Sequence, residues 1–130
     1  MKSRFAWTVA VAVLGATAMS AATAYEADWK RGRIYYRQVC TSCHNTEMKK
    51  PVSPSDRTKA EWGAYLQADK HLKGKEPVTR YFSKQYRDGI KASNAAAAKF
   101  ADVPEKELLE DVKAFLNKGA KDGDSPASCS

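Results

Sequence analysis

An all-α domain is the fold the sequence predicts, and three observations predict it. No stretch of the 130 residues alternates apolar and polar side chains in the strict period of two that marks a half-buried strand. Four segments instead carry apolar or aromatic residues at helical spacing, separated by turn chemistry. With 28% charged and 43% hydrophobic residues, the composition is that of a globular chain rather than a disordered one. The three cysteines exclude a disulfide-dense scaffold, because they close at most one bridge.

The first 24 residues stand apart from that domain. Lys2 and Arg4 open the chain, Phe5 to Ala16 form an apolar run, and Ala22-Thr23-Ala24 follows with small residues where a signal peptidase reads. This order predicts a secretory signal peptide over 1–24, removed after Ala24, and hence an exported, periplasmic protein. A retained membrane anchor is the competing reading, but the half from Ala16 to Ala24 is rich in Thr, Ser and small residues. Without Lys2 and Arg4 the 22 basic side chains become 20 against 15 acidic ones, so a net charge of +7 becomes +5. No second long apolar run follows, so no integral membrane segment is expected in the exported part. That part divides into a domain over 25–120 and a Gly/Asp/Ser/Pro-rich tail over 121–130, expected to be loose.

The first expected helix runs from Ala27 to Cys40, with Trp29, Gly32, Tyr36 and Cys40 on one face. The second runs from Thr58 to Leu72. Thr58 and Glu61 have capping-box spacing, Trp62, Tyr65 and Leu66 form its stripe, and Gly74 is its stop. A third, from Pro77 to Ile90, turns Tyr81, Phe82 and Tyr86 inward. The fourth spans Pro104 to Lys118, with Leu108, Leu109, Val112, Phe115 and Leu116 as its apolar stripe and Gly119 as its C-cap. Glu105 and Glu107 in its first turn and Lys118 in its last suit the helix dipole. So few aliphatic residues occupy the first half that something besides protein is expected to supplement the core.

Cys40-Thr41-Ser42-Cys43-His44 suggests what that is. C-x-x-C-H is the attachment sequence for c-type haem. Two thiols three residues apart add across the two vinyl groups of one porphyrin edge, and the adjoining imidazole reaches the iron. Three other readings exist: a thioredoxin-like redox pair, which lacks its βαβ context; half a zinc site, which lacks a second ligand pair; and an ordinary disulfide. Export favours haem.

With that motif in place, the chain resembles the class I cytochromes c over Ala27 to Lys118. In that family a glycine and an aromatic precede the first haem cysteine by eight and four residues, as Gly32 and Tyr36 precede Cys40. The glycine there admits the last helix, whose aromatic packs beside it, and Val112 to Leu116 resembles that segment with Phe115 as the aromatic. The resemblance implies a cytochrome c-like fold of about four helices wrapped around one covalent haem c, with thioethers to Cys40 and Cys43 and His44 as the proximal iron ligand. It departs from the family at one place. The distal methionine of many members is expected two residues before Phe100, where this chain has Ala98.

The sixth ligand is therefore open. His71, 27 residues after His44, can fold over the distal face, and bis-histidine ligation lowers the potential relative to Met/His. On a helix reaching Leu72 it points away from the apolar stripe, as an exposed histidine near the negative helix end. A helix ending near Asp69 removes that objection. Met48 lies four residues after His44, a reach of at most about 14 Å. Lys99, Asn94, Cys129 and an open site are the remaining alternatives. Cys129 is the odd cysteine, a candidate for an intermolecular disulfide.

Lys30, Arg31, Arg33 and Arg37, and separately Lys70, Lys73 and Lys75, form basic patches suited to redox partner proteins with an acidic docking surface. Either patch is equally read as a solvated face. Export argues against nucleic acid. The function expected is that of a periplasmic electron carrier, not an enzyme, since no catalytic constellation stands out. A haem-based small-ligand sensor with an open distal site and a haem subunit of a larger oxidoreductase are the alternatives.

Overall fold

The computed structural model describes residues 24–46, 51–71 and 76–127. The expected signal segment up to Thr23, Met48, Lys73, Gly74, Lys75 and Cys129 lie outside the described residues. The regular structure is all helical, with no strand among the described residues.

The first expected helix continues past Cys40. It is built of α1 (Trp29–Tyr35), a π-helical turn (Tyr36–Cys40) and α2 (Thr41–Thr46). Asp28 starts it, its carboxylate accepting the N–H groups of Lys30 at 2.9 Å and Arg31 at 3.2 Å. The π turn widens the helix where two neighbouring tyrosines, Tyr35 and Tyr36, are both buried. Tyr35 packs on Phe82 and Phe100, and Tyr36 on Phe115.

A 3-10 turn at Pro54–Asp56 leads to α3 (Lys59–Ala68), which opens with the expected Thr58–Glu61 capping box. Its end differs from expectation. Asp69, at φ 51°, closes the helix in the left-handed region, before Gly74 is reached. The alternation of helix-favouring residues through Leu72 gives no warning of this, because the deciding bond runs from Asp69 to Thr79.

The expected third helix is two elements, a 3-10 turn at Val78–Phe82 and α4 (Lys84–Ile90). Ser83 separates them in an extended conformation, its hydroxyl accepting the Tyr86 N–H at 3.1 Å as an N-cap. The carboxylate of Glu105 takes the Lys84 N–H at 2.8 Å, so a later helix helps to cap α4. A short α5 (Ala95–Ala98), capped by Asn94, was not expected.

Helix α6 (Glu105–Gly119) crosses α1 at Gly32. A β-carbon on Gly32 would stand 2.0 Å from the Asp111 carbonyl oxygen, so the two backbones are in contact. Leu108, Val112 and Leu116 are buried from the expected stripe, while Leu109 and Phe115 are half-buried. Gly119 is the last helical residue rather than a left-handed cap; a β-carbon there would lie 2.9 Å from Pro54 Cβ.

The segment 121–127 is not loose. The Lys121 N–H bonds Arg57 O at 2.9 Å, Asp122 accepts the Lys59 N–H at 2.7 Å, and the Ser125 and Ala127 N–H groups bond the carbonyls of Lys118 and Gly119. Its glycines and serines form turns that use up the free carbonyls at the end of α6.

Two buried charges lock the frame. Asp111, fully buried, accepts the Tyr25 hydroxyl, the Asp28 N–H at 2.7 Å and Arg31 Nε. Arg87, 1% exposed, donates to the carbonyls of Ser83, Phe100 and Val103.

Candidate functional site

Between these elements lies a cavity of about 840 Å³. One wall is the helical run, presenting Tyr36, Val39, Cys40, Cys43 and His44. Arg57, Trp62, Tyr65 and Leu66 form a second wall. His71, Val78, Tyr81, Phe82 and Tyr86 form the third, with Val112 and Leu116 of α6 behind. The volume is within the about 300–1,000 Å³ range of small-molecule and cofactor sites, and most of the lining side chains are apolar or aromatic.

Cys40, Cys43 and His44 share this wall because the motif sits on the π turn and the start of α2. Both thiols are free. Desolvation, then the neighbouring Cys43, pushes the Cys40 thiol up to about 12. A thiol so raised is a poor thiolate, the reverse of what a thioredoxin-like redox pair requires.

His71 stands opposite. The early end of α3 at Asp69 frees it from the helix, and its ring centre lies 5.7 Å from that of His44 with the planes 36° apart. An imidazole at a metal–nitrogen distance of about 2.0–2.1 Å holds its centre about 3.2 Å from the ion, so two imidazoles facing each other across one ion have centres about 6.4 Å apart. The observed separation is within about 0.7 Å of that spacing. Desolvation, then the nearby His44, lowers the His71 pKa, favouring the neutral ring that binds metals. Among the described residues no group of three or more His, Cys, Asp or Glu could hold an ion unaided.

The other described candidates for the sixth ligand do not reach the cavity. Asn94 is committed elsewhere, its Oδ1 accepting the Ala96 N–H at 3.1 Å and its Nδ2 donating to Gln38 O at 2.8 Å. Lys99 and Ala98 are exposed. The physical reason is the docking of Phe100 edge-on against Tyr35, at 5.0 Å between ring centres, which pins α5 to a different side of the helical run.

Arg57, Tyr65 and Tyr36 are wall residues that sequence reasoning did not single out for the site. Arg57 lies over the rings of Trp62 and Tyr65, at 5.5 and 5.2 Å to their centres, a cation at the cavity wall. Trp62 is itself held by an Nε1–H bond to Pro54 O of 2.7 Å. Nothing in a single Asp-Arg-Thr sequence marks an arginine for this position.

The basic patches also change. Arg31 is paired with Asp111 and stands 3.5 Å from Glu107, so it is part of the helix crossing rather than a free surface cation. Arg33 and Arg37 are exposed, flanking Ile34, which is itself 47% exposed. Among the described residues no helix is long and apolar enough to cross a membrane.

No family model, no curated protein and no solved structure matches this chain.

Proposed function

We propose that this protein is a mono-haem c-type cytochrome that carries single electrons between exported redox partners. Haem c would be held by thioethers to Cys40 and Cys43, and His44 and His71 would be the imidazoles offered to its iron. The observation that carries the reading is the His44–His71 pair, 5.7 Å apart in the cavity that Cys40 and Cys43 also line. The Gly32 crossing with Tyr36 packed on Phe115 at 5.4 Å supports the class I fold, because it joins the first and last helices as that family requires.

Haem supplies the one-electron chemistry. The chain's own contribution is threefold. His44 and His71 offer two imidazole nitrogen donors, a pairing that gives a lower potential than a Met/His pair. Apolar side chains such as Val39, Leu66, Val78 and Leu116 line the cavity and would shield a bound haem from water. Arg33 and Arg37, one to two turns before Cys40, present positive charge around the apolar Ile34, a surface suited to an acidic partner.

Visible spectra of the purified protein test the reading. Expected are covalent haem that acid-acetone does not extract and a low-spin six-coordinate spectrum that carbon monoxide leaves unchanged within the mixing time. Extractable haem would remove the attachment. Prompt carbon monoxide binding by the unsubstituted protein would favour a small-ligand sensor over a carrier.

A further inference from the structure

His71 lies outside any helix, so something other than helix geometry must determine where its ring stands. Two residues before it, Asp69 ends α3 at φ 51° and ψ 34°. That left-handed conformation is tolerated by Asp but favours Gly or Asn. The carboxylate offsets the strain by accepting two hydrogen bonds from one residue, the Thr79 N–H at 2.8 Å and the Thr79 hydroxyl at 3.0 Å. Two residues after Thr79, the ring of Tyr81 packs on His71 with centres 5.2 Å apart. Tyr81 is anchored in turn, because the hydroxyl of fully buried Tyr35 donates to its carbonyl. Asp69–Thr79 and His71–Tyr81 are thus two rungs between the same two stretches of chain, and the second stretch is fixed to the core.

We propose that Asp69 is a positioning residue for His71, holding its imidazole opposite His44 by binding Thr79. The proposal rests on the haem reading above and adds to it. Hydrogen bonds to an ionised carboxylate are the stronger kind, and the entropy of a released His71 opposes ligation. Loss of the clamp therefore raises the fraction of molecules with the distal position vacant.

The test compares carbon monoxide binding by the ferrous holoprotein across four variants, with helical circular dichroism as the check on folding. Asp69→Gly keeps a residue suited to the left-handed cap and deletes both bonds, and should bind about tenfold faster than the parent. Thr79→Val deletes only the hydroxyl bond and should bind about threefold faster. Asp69→Asn keeps one acceptor oxygen for the Thr79 N–H but loses the second acceptor and the charge, and should bind about threefold faster, between the parent and Asp69→Gly. His71→Ala should be the fastest. Parent-like rates in Asp69→Gly, or in Thr79→Val if the glycine variant does not fold, beside a fast His71→Ala overturn the positioning role alone. A parent-like His71→Ala removes His71 as the ligand and takes the proposal with it.

Discussion

Replacing Gly32 with alanine puts a methyl group 2.0 Å from the Asp111 carbonyl oxygen and 2.7 Å from the Val112 nitrogen. Ordinary contact begins near 3.4 Å, and both obstacles are backbone, so no side chain can swing aside. Helices α1 and α6 must part by more than an ångström, and a close-packed interior transmits that gap to its neighbours. The Tyr36–Phe115 contact and the burial of Val112 both lie at this crossing. Overpacking alone costs about 1–3 kcal/mol, and a backbone obstacle belongs at the upper end. Alanine recovers at most about 1 kcal/mol of helix propensity. The same substitution at Gly63, inside α3 with nothing within 4 Å of the added carbon, keeps that gain and meets no obstacle. Urea unfolding followed by circular dichroism should therefore lower the midpoint of Gly32→Ala by about 1–2 M, for a slope of about 1.5 kcal/mol per M. Gly63→Ala should unfold slightly later than the parent. Two substitutions that shift the midpoint in the same direction by the same amount would refute the close crossing as the reason for glycine.

Three other outcomes are expected. Asp111→Ala leaves Arg31 and the Tyr25 hydroxyl without their buried acceptor and should cost about 2–4 kcal/mol in the same unfolding assay, whereas Glu107→Gln, at a half-exposed partner 3.5 Å away, should cost under about 1 kcal/mol. The Tyr25 hydroxyl is pushed up to about 12 from 10.0 by desolvation and then by its bond to Asp111. The folded chain thus keeps a proton that the unfolded chain releases, so this share of stability is intact below pH 10 and is lost as pH rises toward 12. Midpoints measured across that range should fall less steeply for Tyr25→Phe than for the parent. Removal of the proposed haem should abolish cooperative unfolding. A cavity of about 840 Å³ is too large for its side chains to collapse into, so without the haem its apolar walls would face water. A haem-free protein with an unchanged cooperative transition would contradict the assignment of the cavity.

Local chemistry was legible wherever the deciding partner was near in sequence. The all-helical class follows from spacing, the Thr58–Glu61 capping box from two residues three apart, and the stripe of α6 from its period. Cys40, Cys43 and His44 fall on one wall because neighbours on a helical run cannot do otherwise. Gly32 was marked as the place of the helix crossing by the family resemblance, in which a glycine stands eight residues before the first cysteine.

The ends of elements depended on distant partners. Asp69 stops α3 early because Thr79, ten residues on, binds its carboxylate, and only that stop brings His71 to His44. Asn94 and Lys99 are withdrawn from the cavity because Phe100 packs on Tyr35, a contact across more than sixty residues of chain. Arg31 is recruited from the surface by Asp111, eighty residues away. Helix propensity varies by less than about 1 kcal/mol per ordinary residue, so a few charge-assisted bonds or one aromatic contact outweigh it. Sequence alone determined the helical class and the Cys-Cys-His wall; tertiary bonds decided which side chain faces that wall.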